Sequence, residues 1–190
     1  MQAKGERNGP GVPLLKRWAA AAARSRVIVS ILLGASACWL AQPTRGSLQI
    51  GVPIGLVGLA VRAWAAGHLR KNQQLAVSGP YAHVRNPLYV GSLLAGAGLG
   101  VAANHMAILA AIVAVFVFWF LPVVTEEEAH IRKILPGYVE YELRVRRFLP
   151  SIAPRYRSGR RFDPGLYMEN REYSALCGFL VFMAILWIKL

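Results

Sequence analysis

Acidic side chains are scarce in this chain. Nine Asp and Glu stand against 22 Lys and Arg in 190 residues, a formal charge of +13. In a soluble protein that excess points to nucleic acid. Here most basic residues flank apolar runs instead, which fits positive-inside topology and anionic lipid headgroups, so no nucleic-acid partner is expected. Cysteine is nearly absent: Cys38 and Cys177 both lie inside apolar runs, read as reduced helix residues that say nothing of redox compartment. No metal-ligand spacing, glycine-rich phosphate loop, nucleophile elbow or internal repeat occurs, so metal, phosphate-loop and serine-hydrolase chemistries have no signature.

What is abundant is apolar. Hydrophobic residues make up 55% of the chain, gathered in long uncharged runs. A soluble domain holds about 45–50% even when glycine is counted. The expectation is therefore an all-α integral membrane protein of about five transmembrane helices.

In chain order, residues 1–12 are polar and rich in Gly and Pro. Pro13 to Arg26, with Lys16, Arg17, Arg24 and Arg26 among alanines, reads as an interfacial amphipathic helix. Val27 to Gln42 is apolar. A basic leader before such a run resembles a signal peptide, and Ala35 to Cys38 is similar to a lipoprotein cleavage site; the leader is long, and an uncleaved first span is expected. After a turn at Pro43 to Gly46, Leu48 to Leu69 forms a second segment in which Gly51 and Gly55 make a small-xxx-small pair for close helix packing. Arg62 lies inside it, expected to snorkel to the interface or face a polar cavity. Leu88 to Ala103 and Met106 to Val124 form a tight helical hairpin about Asn104-His105. A fifth apolar run spans Ser174 to Lys189. Nearly all Lys and Arg fall in the leader, in Arg70 to Arg85 and in Arg132 to Arg171. This predicts a cytoplasmic N-terminus, both polar loops inside, and the hairpin turn, His105 and Leu190 outside.

Two polar stretches flank the hairpin. Ser78 to Gly91 reads Ser-Gly-Pro-Tyr-Ala-His-Val-Arg-Asn-Pro-Leu-Tyr-Val-Gly, a turn that becomes a helix. Asn86 has the character of an N-cap, with Pro87 at the first helical position. That helix start, beside Tyr81, His83, Arg85 and Tyr89, suits an anionic group. The second stretch begins at Thr125-Glu126-Glu127-Glu128. Three acids would oppose the dipole of a helix ending there, so the helix is expected to run on past Ile134 and end at Pro136-Gly137. Taken alone, the acids also read as a solvated turn neutralising nearby arginines. Tyr138-x2-Tyr141-x3-Val145-x-Arg147-Phe148-x-Pro150 follows, which alone also fits an aromatic belt at the membrane surface.

In sequence these motifs are Gly-x-Tyr, Arg-x-Pro-x-Tyr-x-Gly, an apolar hairpin, Glu-Glu, and the Tyr-Tyr-Val-Arg-Phe-Pro signature. Over Leu75 to Pro150 the chain resembles the isoprenylcysteine carboxyl methyltransferase and phospholipid methyltransferase family of membrane enzymes. The resemblance implies an all-helical methyltransferase without a Rossmann sheet, using S-adenosylmethionine and releasing S-adenosylhomocysteine, with a cytoplasmic cofactor pocket. Carried over, Arg85, Pro87, Tyr89 and Gly91 match the first family motif, Glu127 and Glu128 the second, and Tyr81 the tyrosine ahead of them. His83 and Asn86 of the same loop are taken as cofactor-binding with them. Arg147 matches the basic residue near the substrate head, and Arg85, Arg147 and Glu127 are the expected catalytic residues. Asn86 replaces the family histidine and cannot titrate near neutral pH, so a proton acceptor would fall to His83 or His130.

The expected division is a basic N-terminal segment (1–26), two spans (27–69), a catalytic core (70–150) containing the hairpin 88–124, and a basic linker with a final helix (151–190). The expected function is methyl transfer to a lipidic or prenylcysteine-like acceptor, carboxylate or amine, at the cytoplasmic face of a bacterial inner membrane, with membrane lipids as partners. The rival readings are an NADPH-dependent lipid reductase and a catalytically silent scaffold that binds anionic lipid.

Overall fold

A computed structural model describes residues 14–156 and 159–190. The expectations for residues 1–12, for Arg157 and for the side chains of Lys16, Arg17 and Arg26 lie outside the described residues. Helices dominate, and no strand occurs among the described residues: α1 (Leu14–Leu40), α2 (Arg45–Ala66), α3 (Pro87–Ala102), α4 (Met106–Val115), α5 (Leu121–Ile134), α6 (Tyr138–Arg144), α7 (Pro164–Glu169) and α8 (Tyr173–Ile188). A 3₁₀ turn covers Gly79–Ala82, and a π turn, Phe116–Phe120, joins α4 to α5. Two helical stretches are long and apolar enough to cross a membrane, Arg45–Ala66 and Met106–Ile134. Three shorter apolar stretches accompany them: Ile28–Leu40, Pro87–Ala102 and Tyr173–Ile188. At 1.5 Å per residue, the 16 residues of α3 reach about 24 Å, short of a hydrocarbon core of about 30 Å.

The first segment differs from expectation. No break separates an interfacial helix from an apolar one; α1 is continuous. The alanine run inside it is strongly helix-forming and nothing in it stops propagation. Thr44 then starts α2 with a capping box, exchanging hydrogen bonds with Ser47.

Glycine sets the central packing. The hairpin of α3 and α4 is present, but the closest partner of α3 is α2. A Cβ on Gly51 would lie 2.5 Å from the Gly98 carbonyl, and one on Gly58 would lie 2.3 Å from the Ala95 nitrogen. From the other side, a Cβ on Gly98 would lie 2.3 Å from the Gly55 nitrogen. The two backbones therefore touch along a stripe that any larger residue would pry open. The small pair Gly51 and Gly55 marks the start of that stripe.

Arg62 is paired within the protein. Its guanidinium is held by Glu172, which precedes α8, with Nη2–Oε1 at 2.9 Å and Nε–Oε2 at 3.0 Å. It also donates to Ser92 Oγ and to the Leu88 carbonyl on the first turns of α3. The C-terminal segment thus supplies the carboxylate that makes an arginine tolerable on an apolar helix. Asn170 adds to the hold by donating to the Ala66 and Leu69 carbonyls at the end of α2.

The π turn has a covalent cause. Pro122 has no N–H, so the Phe118 carbonyl four residues earlier loses its helical donor. The indole of Trp18 on α1 donates to that carbonyl at 2.9 Å, and Trp119 donates back to Ser25 Oγ at 3.0 Å. The helix runs on through Glu126 to Glu128 and ends at Ile134, two residues before Pro136.

One end of the bundle is closed by Ala41, Leu48, Ala102, Ile108 and Leu186. There Asn104 turns the chain in the left-handed region (φ 52°) and donates to the Gln42 carbonyl, and Lys189 covers the last carbonyls of α1. The other end gathers the polar loops, the start of α3, the end of α5, and α6.

Candidate functional site

Backbone hydrogen bonds bring the two polar stretches together. Arg85 N donates to the Arg146 carbonyl at 2.8 Å, Ser151 N to the His83 carbonyl at 3.0 Å, and Arg155 N to the Ala82 carbonyl at 2.7 Å. The segment after α6 therefore lies along residues 82–85. Gly79, at φ +56°, makes the turn before it, where a Cβ would meet the buried His68 ring at 2.7 Å.

Side chains complete the join. Tyr89 donates to Glu127 Oε2 at 2.9 Å, and Asn86 Nδ2 donates to Glu128 Oε1 at 2.7 Å and to the Arg147 carbonyl at 3.3 Å. Arg85 lies 3.8 Å from Glu128 and 3.3 Å from Glu142. Arg147 lies 3.0 Å from Glu128 Oε2 and donates to Thr125 Oγ1 at 2.7 Å. The Arg147 Nε–Glu128 approach is close but not aligned as a hydrogen bond, so its attraction is ionic. Arg132 contributes a third arginine, 2.7 Å from Glu142.

Beside this network is a cavity of about 400 Å³. Arg85, Asn86, Pro87 and Tyr89 line it from the start of α3, and Tyr81 from the turn before. Glu126, Glu127 and His130 line it from α5, Tyr138 and Tyr141 from α6, and residues 69–76 from the loop after α2. Arg85 and Glu127, which a hairpin separates in sequence, thus share one wall-to-wall space.

Four of the sequence-selected residues do not line it. Glu128 is taken up behind the wall by Arg85, Asn86 and Arg147. Arg147 stands outside it, its side chain one-third exposed and its guanidinium 5.5 Å over the Phe148 ring. The His83 ring nitrogen pairs with the Ser151 carbonyl at 2.8 Å. Gly91 sits in the α2–α3 contact, where a Cβ would lie 2.7 Å from the Gly58 carbonyl. Asn86 does occupy the N-cap position of α3, but its side chain does not cap the helix, because Glu128 and the Arg147 carbonyl draw its amide away. The asparagine amide donates here without carrying charge.

Sequence reading passed over Glu142 and gave Tyr138 a place in the C-terminal signature but no site role. The one signal for Glu142 was the surplus of arginine, which leaves few acids to balance a buried cluster. The Tyr138 hydroxyl is pushed up to about 12, chiefly by burial and next by the nearby Glu128 charge, with Arg85 acting against them. Tyr81 and Tyr141 are also raised, again chiefly by burial. All three phenols are neutral hydrogen-bonding groups at pH 7, not bases.

Among curated proteins, the chain is 32% identical over 117 residues to the cobalt-zinc-cadmium resistance protein CzcN of Cupriavidus metallidurans, covering 59% of this chain and 53% of that one. It is 32% identical over 112 residues to the nickel-cobalt-cadmium resistance protein NccN of Alcaligenes xylosoxydans xylosoxydans, covering 56% of this chain and 51% of that one. The chain therefore spans about half the length of the curated relatives it matches. No solved structure matches it. Residues 55–137, from the glycine stripe of α2 through the cavity and the hairpin to the turn before α6, match the phospholipid methyltransferase family model.

Proposed function

We propose that this protein transfers a methyl group from S-adenosylmethionine to an amphiphilic acceptor, lipidic or prenylcysteine-like, at the cytoplasmic face of a bacterial inner membrane. The observation that carries the reading is the shared cavity: Arg85 and the start of α3 on one side, Glu126 and Glu127 on the other. Its volume is near the lower end of the roughly 300–1,000 Å³ usual for ligand sites, which suits one nucleoside-sized molecule. The lining fits this cofactor's parts. Arg85 and the Pro87 helix start suit a carboxylate. Glu127, oriented by Tyr89, suits an ammonium or ribose hydroxyls.

The cofactor supplies a methyl group already activated by its sulfonium. What remains for the chain is to bind, align and exclude water, and positioning of this kind is worth roughly 7–11 kcal/mol. Leu69, Leu75, Leu88, Val123, Ile131 and Leu135 give the cavity an apolar wall. Arg147, outside the cavity and partly exposed, would hold an acidic acceptor head. An amine acceptor would instead need a proton removed, for which Glu126, Glu127 and His130 are at hand. In this reading α1, α2, α3, the α4–α5 unit and α8 are five spans, α3 and α8 being short. The alternation of helix directions puts the start of α1 and both polar loops at one end, in keeping with a cytoplasmic N-terminus and the distribution of Lys and Arg.

Calorimetry on detergent-purified protein tests the reading. S-adenosylhomocysteine binds the wild type, and Arg85→Ala or Glu127→Ala abolishes binding. Wild-type protein that ignores this ligand but takes up NADPH refutes the methyltransferase reading in favour of a reductase.

A further inference from the structure

Tyr138 and Tyr141 sit one turn apart on α6, and both are buried. Their hydroxyls have different fates. That of Tyr141 donates to the Tyr81 carbonyl at 2.7 Å and so belongs to the framework. That of Tyr138 is buried and has no hydrogen-bond partner among the described residues, although Tyr138 lines the cavity. Leaving such a group unsatisfied is unfavourable, and native structures rarely do so without a use for it.

The charges around it define what would satisfy it. Behind Tyr138, Arg85 and Arg132 hold Glu142, and Arg85 and Arg147 hold Glu128. Across the cavity stand Glu126 and Glu127. Arg70, Lys71 and Arg85 are the cations of the lining, and Arg85 is the one that acts on Tyr138, so an anionic oxygen that pairs with Arg85 comes beside the phenol. The phenol is protonated throughout the neutral range, so it is a donor there.

We infer that Tyr138 is a binding residue whose hydroxyl donates a hydrogen bond to the carboxylate of the cofactor's amino-acid arm, alongside Arg85. The inference rests on the S-adenosylmethionine reading and adds to it the orientation of the ligand: amino-acid carboxylate toward α6 and the arginine cluster, with the groups that donate hydrogen bonds toward α5.

The test compares two ligands on two variants of the full chain in detergent. S-adenosylhomocysteine has the amino-acid arm and methylthioadenosine lacks it. Tyr138→Phe is expected to weaken S-adenosylhomocysteine about tenfold to a hundredfold, the range for one hydrogen bond to a charged group. Methylthioadenosine affinity stays within about twofold, since that ligand never reaches the phenol. Without ligand, Tyr138→Phe melts at or above the wild-type temperature, because no protein hydrogen bond is lost. Tyr141→Phe melts lower, because the Tyr81 carbonyl is orphaned. Equal affinity of wild type and Tyr138→Phe for S-adenosylhomocysteine overturns the inference. So does an equal loss for both ligands, which would place the contact elsewhere, or a lowered melting temperature of unliganded Tyr138→Phe, which would make the hydroxyl structural. Wild-type protein that binds neither ligand refutes the cofactor reading itself.

Discussion

Replacing Glu172 by leucine removes the partner of Arg62 and leaves a guanidinium on an apolar helix. The side chains of Arg62 and Glu172 are 22% and 10% exposed, so the pair is largely but not fully buried. Breaking a buried pair from one side costs about 3–5 kcal/mol. The residual exposure, and the bonds Arg62 keeps to Ser92 and the Leu88 carbonyl, reduce that to about 2–4 kcal/mol. For a chain of this size each kcal/mol is worth about 2–4 °C, so the melting temperature should fall by about 4–16 °C. The informative companion is the double variant Arg62→Met with Glu172→Leu. It removes both charges and refills the space with apolar atoms, so it should recover most of the loss, as buried pairs replaced together commonly do. Melting in detergent, followed by tryptophan fluorescence, reads both. A single variant within about 1 °C of wild type would show that the pair does not hold the C-terminal segment to α2. A double variant as unstable as the single would show that the loss comes from packing, not from an orphaned charge.

Three further outcomes follow from the same geometry. Gly58→Ala should cost at least the upper part of the roughly 1–3 kcal/mol range for overpacking, because its Cβ meets backbone 2.3 Å away, whereas Gly34→Ala, with nothing within 4 Å, should be harmless; equal melting temperatures would deny the α2–α3 contact. The raised Tyr138 means that the fold favours its neutral form: its stabilising contribution is full below the ordinary tyrosine value near 10 and is lost as pH rises toward about 12, so melting temperature should drop across that window and drop less steeply in Tyr138→Phe. Trp18→Phe should cost about 1 kcal/mol by orphaning the Phe118 carbonyl, and clearly less in a Pro122→Ala background where the restored amide at position 122 serves that carbonyl; a full cost in both backgrounds would refute this account of the π turn.

The sequence by itself determined that the chain is helical and membrane-like, where most helices lie, and which polar motifs flank the hairpin. Those properties are local: apolar length, glycine and proline punctuation, and charge between runs are read within a few turns of chain. The start of α3 at Asn86-Pro87 and the Asn104 turn were legible for that reason. Partnership was not local. Arg62 finds its carboxylate 110 residues away, and Arg85 meets Glu142 57 residues away, because glycine stripes and backbone bonds bring remote elements within reach. Adjacent acids in one helix likewise diverged, Glu127 lining the cavity and Glu128 turned behind it among arginines. Two tyrosines one turn apart diverged as well, one buried hydroxyl bound and the other without a partner among the described residues. A sequence spells out which groups are present and at what spacing; only the packed helices decide which of them face one another.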